Sequence, residues 1–356
     1  MTTSRRFGRG LLVSSLVSAA IAGCGSGGES AKVSPLPPEP YARPAYTTLA
    51  ETGFFSNPAG RVMDPQAVAF EPTYRLWSDG ATKRRWMRLP EGTRIDTSDM
   101  DHWVFPVGTK FWKEFSIDGV LLETRLVERY GDGPDDYWFG AFVWNAEQTE
   151  ALFVPDGQDD INGTPHDAPS QEKCGACHRG DVGRVLGFSA LQLSRAPGGS
   201  QVGPTLADLT AAGWLTSAPV AATPSAEPGV PFSVPGDPTA VAALGYLHAN
   251  CGHCHNPNGT SWPDTQMVLR LSTSDVDVTT SAVYQSIAGQ PLQYWRGGAI
   301  TERLVPGLPD ASAIVARMSA RGTDDQMPPL ATEFVDPDGL AAVRSWIASL
   351  PPPAAP

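Results

Sequence analysis

Basic side chains are scarce in this chain. Lysine and arginine number 26 against 38 aspartates and glutamates, a formal charge of −12 over 356 residues. A surface of that sign repels a phosphate backbone, which excludes nucleic acid as a partner. Long apolar runs are lacking too: beyond residue 22 no segment could span a bilayer as a helix. Cysteine (5) and histidine (6) are rare, and no methionine occurs between Arg179 and Ala249. The acidic loop DGQDDING (156–163) lacks the EF-hand spacing and reads as a solvated loop. What abounds is proline (34) and glycine (36), which call for turns and long loops rather than a helical bundle. The apolar fraction of 41% supports globular packing, and the length exceeds one ordinary core, so several domains are expected.

The N-terminus carries Arg5, Arg6 and Arg9 ahead of LLVSSLVSAAIA (11–22), a charged region followed by an apolar one of secretory type. The run ends in IAGC, Ile21 to Cys24, which resembles the lipobox of bacterial lipoproteins. The resemblance implies a signal peptide over 1–23 and lipidation of Cys24. With Gly25 rather than aspartate next, it also implies an outer-membrane anchor facing the periplasm of a Gram-negative bacterium. Without residues 1–23, 23 basic against 38 acidic side chains leave −15, a charge suited to a basic protein partner. Residues 24–45, rich in Gly, Ser and then Pro, read as a tether.

The remainder reads as a multi-domain α+β chain, with a mainly-β domain over 46–168 and helical segments after it. FWKEFSI (111–117), Asp118-Gly119 and VLLETRLVE (120–128) predict a tight hairpin, with further strands at 138–145 and 151–154. Residues 169–225 are loop-rich. Over 226–356 the signals turn helical: Asp237-Pro238 and Asp336-Pro337 are start signals before apolar stripes, and PDASAIVARM (309–318) predicts a third helix.

Four cysteines remain, and they form two copies of one pattern: CGACH (Cys174 to His178) and CGHCH (Cys251 to His255). Cys-x-x-Cys-His is the attachment signature of c-type haem. On a helical turn, positions i, i+3 and i+4 share one face, so two thiols can add to the two vinyl groups of one porphyrin while the histidine reaches the iron. Zinc, local disulfides and a redox dithiol compete. The two pairs stand too far apart for a typical zinc ribbon, a thioredoxin-like pair needs a βαβ setting that is absent, and none of the three requires a histidine after each pair. Cys174, Cys177, Cys251 and Cys254 are therefore expected to hold two covalent haems, with His178 and His255 on the irons. His253 occupies a variable position and is expected to point away from iron; His248, one turn earlier, reads as a surface or interface histidine.

A thioether opposite histidine closes an iron and raises its potential. Met327 in DDQMPPL, stiffened by two prolines, is the candidate for the second haem, with Met318 as its rival. The first haem has no nearby methionine; His166 is the candidate there, with Met100 and His102 behind it and an open iron as the alternative. Helix, CxxCH, long loop, MPP loop and terminal helix together resemble a class I cytochrome c domain. LWSDGATKRRW (76–86), FPVGTKFWKEF (105–115) and FVWNAEQTEA (142–151) ahead of two such motifs resemble exported bacterial dihaem c-type cytochromes. That resemblance implies single-electron transfer between periplasmic redox partners. A dihaem peroxidase-like enzyme with an open first haem is the alternative.

Overall fold

The computed structural model describes residues 42–221, 227–293 and 298–352. The expected signal peptide, Cys24 and nearly all of the tether lie outside the described residues, as does part of the Pro-rich stretch 221–238. From Pro40 onward the chain forms one compact unit of mixed α and β structure. Among the described residues no helix is long and apolar enough to cross a membrane.

Strands β1 (Phe55–Asn57) and β2 (Val62–Met63) make a small ribbon. A six-stranded antiparallel meander follows: β3 (Val68–Ala69), β4 (Thr82–Arg88), β5 (Lys110–Ile117), β6 (Val120–Arg129), β7 (Tyr137–Trp144) and β8 (Ala151–Phe153), paired in sequence order. The expected hairpin is β5–β6; Asp118 and Gly119 both take positive φ, 49° and 81°, the twist a two-residue turn needs. Both faces of its strands are covered, yet half of their positions are polar or charged, and Lys110, Glu114, Glu123, Thr124 and Glu128 are buried. One face presents Trp112, Leu126, Trp138 and Phe142 to Leu49 and Phe54. The other presents Met87, Phe111 and Val127 to the helical half of the chain.

That half contains α1 (Gln171–His178), α2 (Ala190–Leu193), α3 (Leu206–Ala211), α4 (Pro238–Asn250), α5 (Trp262–Thr265), α6 (Ala282–Ile287), α7 (Ala313–Ser319) and α8 (Pro337–Ser349). The two Asp-Pro starts work as read. The Asp237 carboxylate accepts from Ala240 N–H at 2.9 Å, and Asp336 accepts from Asp338 and Gly339 at 3.1 Å. Leu244 and Leu247 of α4 and Val343, Trp346 and Ile347 of α8 are fully buried, and the two helices pack together. Gly339 permits this crossing, because a Cβ there would run into the Tyr246 ring. A single apolar cluster includes Phe111 of the sheet, Phe188 of the middle segment and Leu247 and Ile347 of the last helices. The core therefore crosses the boundaries drawn from the sequence at 168/169 and 225/226.

Loops lock the halves. Asn250, at the end of α4, accepts from Trp77 N–H at 2.7 Å and donates to the Arg75 carbonyl at 3.1 Å. Asp79 accepts from the backbone N–H groups of Glu333 and Phe334 at 2.9–3.1 Å. The LWSDG phrase is thus a clasp between the sheet and the loop that follows Met327.

Candidate haem-binding cavity

Cys174, Cys177 and His178 stand at positions i, i+3 and i+4 of α1, which lies on β7: Gln171 donates to the Phe139 carbonyl at 2.6 Å, and the His178 ring sits 5.0 Å from the Phe139 ring. The second motif continues the helical path past α4. Cys251 N–H bonds Leu247 O, and His255 N–H bonds Cys251 O, both at 2.9 Å. Both motifs therefore present cysteine and histidine from one helical turn, as the spacing requires.

The two motifs meet. A ring nitrogen of His253 and the sulfurs of Cys177 and Cys254 all lie within 4.8 Å of one another. Thr260 Oγ1 donates to the Ala176 carbonyl at 3.4 Å. Gly180, two residues past the first motif, abuts the carbonyl of His253 so closely that a Cβ would collide with it. Asp181 binds Arg270 at 2.5 Å across the same junction. All four cysteines are free thiols. Hydrogen bonding with Cys254 and the neighbouring His253 hold the Cys177 thiol well below the ordinary range, while Cys254 is pushed up. Burial raises Cys174 to about 11 and Cys251 to about 12.

Both histidines are set in one tautomer. His178 Nδ1 lies 2.7 Å from the Arg184 carbonyl, an acceptor only, so Nδ1 carries the proton and Nε2 keeps its lone pair. His255 Nδ1 lies 3.0 Å from Ser261 Oγ, whose own proton goes to the Cys254 carbonyl at 2.6 Å. Ser261 must therefore accept from His255, leaving Nε2 bare there as well. This outer contact is the one metal-ligating histidines make. Burial pushes both rings down to about 4, so they stay neutral. His248 has the opposite arrangement: its Nδ1 accepts from Leu271 N–H at 3.1 Å, so Nε2 holds the proton, and the ring is partly buried rather than on the surface.

Both cysteine–histidine sets line one cavity of about 630 Å³. Its wall adds Met267, Met318 and Met327, the apolar side chains Phe111, Val127, Leu269 and Ile287, the sheet residues Arg85, Lys113 and Arg125, and the basic side chains Lys173, Arg303 and Arg317 of the other half. The Met327 loop is braced: Met327 N–H bonds Arg317 O at 3.0 Å, and Gln326 donates to Pro328 O at 3.1 Å and Thr332 O at 2.9 Å. The buried Thr332 hydroxyl, also on the wall, has no hydrogen-bond partner among the described residues. Paired thiols, imidazoles with bare Nε2, thioethers and an apolar wall form the donor set that a covalently attached haem requires.

His166 is not on this wall. Its Nε2 lies 2.7 Å from the buried Glu123 carboxylate, and its ring lies tilted against Phe115 at 4.9 Å, so in this structure the expected first-haem ligand packs on the sheet. His102 is likewise tied to Asp99 at 3.0 Å, and Met100 packs at the edge of the main core. Neither lines the cavity, whereas Met267, which sequence reasoning passed over, does. Ser261 and the Arg184 carbonyl were missed too. A hydroxyl six residues past a CxxCH histidine was the only signal for the first, and a backbone carbonyl leaves none.

Comparisons of the chain with models of known families, with curated proteins and with solved structures found no match.

Proposed function

We propose that the chain is a dihaem c-type cytochrome that carries single electrons between redox partners. The observation that carries this reading is the shared cavity, where two Cys-x-x-Cys-His sets each expose an imidazole Nε2 whose opposite nitrogen is already engaged. Cys174 and Cys177 would hold one group by thioethers and Cys251 and Cys254 the other, with His178 and His255 as iron ligands. Bound haem supplies an iron that gains and loses one electron at a time.

The chain's own residues do the rest. Arg184 and Ser261 fix the imidazole tautomers, and the Gln326-braced loop presents the Met327 thioether. Cys177 and Cys254 lie side by side, so the groups they would hold would be attached close to one another, a short route for one electron. Met327 would supply a thioether to the iron of the second haem, with Met318 as its rival, and Met267 is a further thioether on the cavity wall. In this reading residues 226–356 form the class I-like cytochrome c portion. The acidic charge favours a basic protein partner, and the lipobox-like IAGC supports an outer-membrane anchor facing the periplasm.

Ferric EPR of a Cys24→Ser chain matured with haem, with and without peroxide, tests the reading. Two low-spin signals untouched by peroxide are expected. A high-spin signal that peroxide abolishes would favour the peroxidase-like alternative.

A further inference from the structure

Across the buried face of the sheet, Arg85 of β4, Lys113 of β5 and Arg125 of β6 stand directly opposite one another: Arg85 pairs in register with Lys113, and Lys113 with Arg125. All three line the large cavity. Like charges opposite each other on adjacent strands repel, and a buried charge without a partner is costly. Arg125 is relieved by Glu123, which accepts from its Nε at 2.9 Å. The other two have no such relief. Arg85 has a relative exposure of only 6%, yet its guanidinium makes no hydrogen bond or ion pair among the described residues. The Lys113 ammonium makes none either; it lies 4.8 Å from the Phe115 ring. Nearby carboxylates are engaged elsewhere. Glu71 bonds Arg75 at 3.3 Å and Val202 N–H at 3.2 Å, and Asp181 bonds Arg270 at 2.5 Å. Asp159, Asp167 and Asp264 also line the cavity, but none of them pairs with Arg85 or Lys113 among the described residues. The row therefore holds two basic side chains, Arg85 and Lys113, that no side chain of the wall pairs with among the described residues.

We propose that Arg85 and Lys113, flanked by Arg125, form a carboxylate-binding row that receives the propionates of haem in this cavity. The proposal rests on the dihaem reading, since propionates are the only anionic groups a haem brings. It gives the sheet a role of its own. The side of the cavity formed by α1 and the turn after α4 supplies thiols and imidazoles, and the sheet supplies the counter-charge. A guanidinium suits a carboxylate because its N–H groups match both oxygens, while an ammonium adds a point charge beside it. Neutralising a propionate stabilises the reduced iron less than a full cation at the iron would, but in the same direction, so the row raises the potential.

The test is a redox titration of the haem-loaded full chain and of its Arg85→Gln, Lys113→Gln and Arg85→Lys variants. Haem content is read from the pyridine haemochrome and the intact mass. Both glutamine variants are expected to keep two attached haems, because the thioethers are untouched, and to show a lowered midpoint for at least one haem. Arg85→Lys keeps the charge and is expected to recover part of that shift. Unchanged midpoints in both glutamine variants, with haem attached, would overturn this proposal and leave the dihaem reading standing; a wild-type chain without haem would overturn both. Inorganic phosphate and succinate titrated into the wild-type protein separate a diffusible anion from the propionates. No saturable spectral response is expected. A saturable response lost in the glutamine variants would assign the row to a free anion and overturn the propionate assignment.

Discussion

Ser261 shows how much one hydroxyl can decide. With its proton committed to the Cys254 carbonyl, its oxygen can only accept from His255 Nδ1, and this makes the imidazole a better donor at Nε2. Ser261→Ala is expected to leave both haems attached and to raise the midpoint of the His255 haem alone, measured by potentiometric titration; equal shifts in both would contradict the assignment. His248 offers a second residue-scale test. Burial, with the Arg270 charge adding to it, depresses its pKa to about 3 in the folded chain, against about 6.5 unfolded. As pH falls the unfolded chain takes up this proton first. Stability from this ring is therefore complete above about pH 6.5 and declines by about 1.4 kcal/mol per pH unit towards pH 3. Denaturant midpoints at pH 7 and 5 should fall less in His248→Gln, whose amide oxygen can still accept from Leu271. Identical slopes in the two proteins would contradict the buried neutral ring.

At the scale of elements, the junction between the two motifs rests on Gly180 against the His253 carbonyl, with Asp181–Arg270 beside it. Gly180→Ala is expected to cost about 1–3 kcal/mol in denaturant unfolding, because the packed backbone must give way; a change below about 0.5 kcal/mol would mean that the junction is loose. This junction also shows where sequence reading stopped. The β5–β6 hairpin, the Asp-Pro helix starts and the helical presentation of each CxxCH were legible, because each is set by residues a few positions apart. That the two motifs touch was not, since 73 residues lie between Gly180, just after the first, and Cys254 of the second, and no local pattern encodes the contact. His166 stands off the cavity wall for a related reason. Its closeness to Cys174 in sequence pointed to the cavity, but Glu123, 43 residues earlier, holds it. The sheet phrases likewise looked like labels until Asp79, Arg85 and Lys113 were seen to face the second half of the chain.

For the whole molecule, sheet and helices divide the labour around one cavity. The sheet is covered on one side by the Leu49–Phe54 segment and spends its other side on that cavity. The helical half contributes thiols, imidazoles and thioethers. Two attachment motifs on separate segments thus open into one space, and the central claim is that this space receives two covalently held haems. The most direct measurement is intact mass and metal content of the full chain matured with c-type haem, alongside Cys174→Ala/Cys177→Ala and Cys251→Ala/Cys254→Ala. The account predicts two haems and two irons in the first protein and one of each in either double variant. A chain that carries zinc at Cys177, His253 and Cys254, and no added haem mass, would contradict it.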